Sequence, residues 1–143
     1  MKKENINTLN EINKGACMGV DAVNCCIEQI EDKKMKNIVE KLLSDYHDIL
    51  AQIEKIFPQY AEGDAQETSV MNKVMTWYGI KMNIMKDDSD EKISEMLIQG
   101  INMWIIEGRK ILNNKNIDKE IENIVDDYVS FQEDALTELK NFL

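Results

Sequence analysis

Apolar residues return every three or four positions through almost the whole chain, and Pro58 is the only proline that interrupts them. That spacing gives each segment one apolar stripe, and no stretch alternates over a strand length, so the predicted fold is all-α. In the first segment the stripe is Leu9, Ile12, Ala16, Gly19, Val23, Cys26 and Ile30, which predicts a helix from roughly Asn5 to Glu31. Asp32 is placed to cap a second helix that turns Met35, Ile38, Leu42, Tyr46, Ile49, Ile53 and Ile56 inward. Pro58 ends it by disfavouring helical geometry at the residue before. The turn between the two helices is so short that they must lie antiparallel.

Residues 58–67 are polar and form the one connector of any length. A shorter helix is expected over residues 68–86, with Met71, Val74, Tyr78, Met82 and Met85 on one face. Asp88 followed by Glu91 is a capping box, and it opens a helix reaching about Asn113. Asn113 and Asn114 suit a left-handed helix end, and Asn116, Asp118 and Glu120 open a last helix with Ile117, Ile121, Ile124, Tyr128, Phe131, Ala135 and Leu139 inward. Four helices of about 25 residues, each near 38 Å, with one short helix in the crossover, describe an antiparallel four-helix bundle. Residues 1–143 form a single domain on this reading. The helix after Asp88 is apolar on nearly every side, with Ile98, Ile105 and Ile106 in addition to its seam. Either the short helix or a second copy of the chain has to cover it, and Trp77, Trp104 and Met103 extend the patch.

Charge and cysteine content exclude several classes of function. Seventeen basic against 27 acidic side chains leave −10, which argues against nucleic acid and anionic membrane surfaces as partners. No apolar run reaches a membrane span of about 20 residues, and Lys2 and Lys3 lead into Glu4, Asn5 and Asn7 where a signal peptide would turn apolar. A cytoplasmic protein is expected. The three cysteines, Cys17, Cys25 and Cys26, share one helix, where eight or nine residues span about 12 to 13 Å, so Cys17 cannot bridge to Cys25 or Cys26, and the adjacent Cys25 and Cys26 point to different faces. With no CxxC, they read as buried reduced thiols.

Three segments carry a family resemblance: Glu28-Gln29-Ile30-Glu31-Asp32 closing the first hairpin, Met71-Asn72-Lys73-Val74-Met75-Thr76-Trp77, and Asp90-Glu91-Lys92-Ile93-Ser94-Glu95-Met96-Leu97-Ile98-Gln99-Gly100. In this layout the chain resembles the small ferritin-like bundles of bacteria whose function is unknown. The resemblance implies a ferritin-like fold and, in active relatives, a two-metal site made of one Glu on each of two helices and Glu-x-x-His on each of the others. The matching positions depart from that set. Gly19 and Val20 stand at the first-helix level, with Asp21 about 200° round from Gly19. Ser44 stands three residues before His47, Ile101 follows Gly100, and Asp127-x-x-Ser130 replaces the last Glu-x-x-His. His47 is the sole histidine, so the two-histidine site cannot form and the di-metal site is degenerate.

Glu107 lies on the heptad line Ile93, Leu97, Gly100, Trp104, Glu107 and Ile111, and an acid facing a core must be paired, metal-bound or protonated. One reading makes it a metal ligand with His47 and Asp127. The other rotates the helix so that Gly108 faces in and Glu107 pairs with Lys110, Arg109 or a neighbour at the rim. His47 reads either as a ligand or oriented base, or as a partly buried structural histidine. Gly15, Gly19, Gly100 and Gly108 suit close helix approach or a small pocket, and the nine methionines and two tryptophans either pack the core or line an adaptable apolar site. The preferred reading has no catalytic, cofactor or metal residues and a non-enzymatic role through protein association as a homodimer. The alternatives are a degraded or mononuclear carboxylate/His site for iron or manganese at His47, Glu107 and Asp127, and a bundle binding a small apolar ligand.

Overall fold

A computed structural model of the chain describes residues 2–61, 89–114 and 116–143. Four long helices carry these residues: α1 Lys2–Cys26, α2 Lys33–Ile56, α3 Asp90–Asn114 and α4 Lys119–Leu139. No strand occurs among the described residues. The short helix expected over 68–86, Trp77 and the Asp88 cap lie outside them.

α1 ends earlier than its stripe suggests. Residues Ile27–Gln29 tighten into one 3₁₀ turn, and Ile30 goes extended at φ −72°, ψ 122°, which drops its side chain back into the core. Asp32 then caps α2 as expected, its Oδ1 accepting from the Met35 amide at 2.9 Å. α2 does stop before Pro58, though for a different reason from the one expected. Phe57 keeps helical angles of φ −53°, ψ −42°, and the ladder fails because Pro58 has no N–H to donate. Ser89 caps α3, its carbonyl accepting from Ile93 at 2.9 Å and its hydroxyl from Lys92 at 3.4 Å. Asn114 closes α3 by donating its side-chain amide to the Lys110 carbonyl at 3.0 Å.

The helices pack their stripes into one core. All seven residues of the first expected stripe are buried, six of them on α1 and Ile30 just beyond it. On α2 the inward position falls to Val39, with Ile38 only half-buried. On α4 the core takes Val125, Val129 and Gln132, and leaves Ile117 and Phe131 half-buried. Contacts are dense between α1 and α2, α2 and α4, and α3 and α4, and sparser between α1 and α3.

Side chains tie the helix ends together. The Asp90 carboxylate accepts from the amides of Glu31 and Asp32, both at 2.9 Å, fixing the start of α3 against the α1–α2 turn. Glu4 accepts from the Asn116 amide at 3.0 Å, and buried Asn5 from the Asp118 amide at 2.9 Å, so α4 starts beside the start of α1. The Tyr60 hydroxyl donates to Asp118 at 3.1 Å, adding the end of α2 to that corner. Burial and the neighbouring Asp118 carboxylate push the Tyr60 phenol up to about 12.

Gly19 lets α1 and α2 approach this closely. A Cβ there would collide with three ring carbons of Tyr46, a side chain with no exposed surface and no room to move. Alanine ordinarily stabilises a helix relative to glycine by about 1 kcal/mol. Here Gly19→Ala should instead lower the unfolding free energy by about 1 to 3 kcal/mol in urea titrations, because overpacking outweighs propensity. Ser44→Ala, on the exposed side of α2, should change it by about 0.5 kcal/mol or less.

Candidate functional site

The three candidate ligands do not converge. His47 on α2, Glu107 on α3 and Asp127 on α4 are all exposed. Each misses the core by one residue. Tyr46 takes the inward place next to His47, Tyr128 the place next to Asp127, and Gly108 the place next to Glu107. On α3 the seam passes Trp104, Gly108 and Ile111, so the heptad line through Glu107 is the wrong phase. Gly108 is required there, since a Cβ would press into Val129 on α4. Glu107 sits at the rim 3.8 Å from Lys110, while Arg109 reaches across to Glu133 at 3.1 Å. His47 is thus neither a partly buried structural histidine nor part of a cluster. Asp127 does share a shallow groove between α2 and α4 with Asp45, Asp48 and Asp134, but neither His47 nor Glu107 lines it. Among the described residues no group of three or more His, Cys, Asp or Glu side chains is gathered to hold a metal.

Aromatic rings and one amide fill the middle of the bundle. Tyr46 is fully buried, with Phe131 at 5.2 Å and Trp104 at 6.2 Å edge-on and Tyr128 tilted at 6.4 Å. Its hydroxyl donates to Gln132 Oε1 at 2.7 Å, and Gln132 Nε2 donates to the Tyr128 carbonyl at 3.0 Å. Gln132, also fully buried, was not picked out from the sequence. Its one signal there is its place four residues after Tyr128, on the same helix face. Burial pushes the Tyr128 phenol well above its ordinary range. The Gly15 position leaves space for that phenol, because a Cβ would strike its hydroxyl.

The cysteines behave as packing residues. Cys17 and Cys26 are buried and Cys25 is half-buried. Burial, reinforced by Cys25, pushes the Cys26 thiol up to about 12. Asp21 is half-buried on the same helix, with Oδ2 buried and no donor among the described residues. Burial raises its carboxyl, and burial and the Asp21 charge raise the Cys25 thiol.

Among the described residues, large apolar side chains stand together in water on the outer face of α3. Met103 is 52% and Ile106 47% exposed, with Ile98 and Ile105 half-buried alongside. Trp104, expected to extend this patch, points into the core at 5% exposure. The chain matches no described protein family, no curated protein and no solved structure.

Two measurements follow from this centre. Gln132→Leu should cost about 1 to 3 kcal/mol by removing the amide that joins Tyr46 to α4. In a double-mutant cycle with Tyr46→Phe, a coupling energy of about 0.5 kcal/mol or more is expected, and strict additivity would show that the contact contributes nothing. The raised Cys26 and Tyr128 values set the alkaline limit. An unfolded chain releases these protons at lower pH than the folded one, so between the ordinary thiol value of 9.0 and about 12 the unfolded state binds fewer protons and stability falls as pH rises. Urea midpoints across that window should decline, and Cys26→Ala should flatten the decline.

Proposed function

We propose that the chain is a ferritin-like bundle with antiparallel neighbours, residues 1–143 forming one domain, and that it works without enzymatic chemistry by pairing with a second copy in the cytoplasm. The end-to-end hydrogen bonds support the topology. α3 starts where α1 ends, α4 starts where α1 starts, and Tyr60 brings the end of α2 to that same corner. α2 therefore ends and α3 begins at opposite ends, as in bundles with a single long crossover. The aromatic filling of the centre supports a role without a metal reaction, because the inward places that a carboxylate site needs are held by Tyr46, Trp104, Tyr128 and Gln132. Thiols that form no disulfide suit a reducing compartment.

The outer face of α3 is the observation that carries the pairing. Full burial of a Met or Ile side chain is worth about 1.5 to 3 kcal/mol, and Met103 and Ile106 forgo about half of that in water. A two-fold axis beside α3 would set each face against its own copy, the commonest arrangement for soluble oligomers. The net charge of −10 opposes the pairing, so the dimer should tighten as salt screens the repulsion. Light scattering at micromolar concentration is expected to give twice the 16.6 kDa chain mass, with the larger species favoured by salt. Ile106→Glu should return the mass to 16.6 kDa without loss of helix signal. A wild-type mass of 16.6 kDa at every salt concentration would mean that the face is not an interface between copies.

A further inference from the structure

The loosest side of the bundle, between α1 and α3, holds a cleft of about 300 Å³. Its walls are mostly apolar: Ile12 and Met18 from α1, Met103 and Trp104 from α3. Gly15 and Tyr128 complete the lining, and no side chain larger than hydrogen can stand at Gly15 without striking the Tyr128 hydroxyl. The volume is at the small end of ligand pockets, suited to a single ring with a short substituent.

One residue of this lining carries a buried polar atom with no partner among the described residues. Trp104 is 5% exposed, and its indole Nε1 is buried with no acceptor among the described residues. Buried donors in native proteins nearly always find an acceptor, so an unmet one calls for an explanation. The rim carries both signs, Glu11 and Glu107 with Lys14, and Glu107 already faces Lys110. A charged ligand therefore gains little there, and the unmet group is a neutral donor.

We propose that this cleft binds a small, neutral, mostly apolar molecule carrying one hydrogen-bond acceptor, of which an aryl ketone is the simplest form. Its carbonyl accepts from Trp104 Nε1, and its ring lies between Met18 and Met103. Their unbranched side chains shift at little cost to let the acceptor reach the buried N–H, and their sulfurs favour an aromatic neighbour. The cleft shares Met103 with the proposed dimer face but not Ile106, so Ile106→Glu tests the dimer while leaving the lining of the cleft unchanged.

The test follows the indole N–H of Trp104 by nitrogen-proton correlation spectroscopy, with Trp77→Phe used to assign the two tryptophan signals. Acetophenone is titrated against ethylbenzene, which has nearly the same shape but no acceptor. Acetophenone should move the Trp104 indole proton downfield in a saturable manner, and ethylbenzene should bind about tenfold more weakly and leave that proton in place. Met18→Phe, which fills the cleft, should abolish the acetophenone shift. An unmoved Trp104 signal, or equal affinity for the two compounds, overturns the proposal. The matched pair is read on the unsubstituted cleft, so the test decides even if Met18→Phe does not fold. Repeating it in Ile106→Glu separates this result from the fate of the dimer.

Discussion

Tyr46 is the side chain on which the rest of the bundle is arranged. It has no exposed surface, its ring occupies the space left by Gly19 on α1, and its hydroxyl reaches Gln132 on α4. Trp104 of α3 packs against the same ring. One residue of α2 thus touches all three other helices, and a shift of any of them along its axis would strand the hydroxyl or clash with the ring. Apolar stripes alone do not fix register, since a helix can slide by a turn and still bury Ile and Leu. A directional hydrogen bond inside a low-dielectric core does fix it, because leaving that bond unmade costs more than a misplaced methyl group.

The ends repeat this logic with backbone groups. Helix starts expose amides that intrahelical bonds cannot satisfy, and here several turn amides find side chains on a different helix. Asp90 takes the amides of Glu31 and Asp32, and Glu4 and Asn5 take those of Asn116 and Asp118. These bonds are partly solvated and individually modest. Their effect is to specify which ends meet, and the central tyrosine then sets how far the helices slide.

The helices were legible in the sequence because their signal repeats: a three-and-four spacing over 20 residues has few competing explanations. The phase of a stripe was less legible, because two neighbouring residues can complete the same spacing. Val39 rather than Ile38 faces in on α2, and Gly108 rather than Glu107 on α3. Only the close approach of Val129 selects the glycine, and that neighbour lies on another helix. Gln132 was missed for the opposite reason. A polar residue in a stripe reads as an interruption until its partner is known, and Tyr46 is 86 residues away. Glu107 is kept from His47 and Asp127 by the same ambiguity of phase, whereas those two stand beside Tyr46 and Tyr128, which the sequence already turns inward.

Excluding carboxylates from the core has a consequence at the surface. With the centre held by aromatic rings and Gln132, the acidic side chains among the described residues lie outside the core, and Asp45, Asp48, Asp127 and Asp134 line one groove between α2 and α4. Like charges so placed repel one another and any second copy that approaches from that side. The α1–α3 side differs in kind: its rim carries Lys14 as well as Glu11 and Glu107, and its surface is formed by Met18 and Met103. An approaching molecule, whether a second copy or a small ligand, meets less repulsion and more recoverable apolar area there than at the aspartate-lined groove. Charge and packing therefore favour the same side of the bundle, and any association by this chain should begin on it.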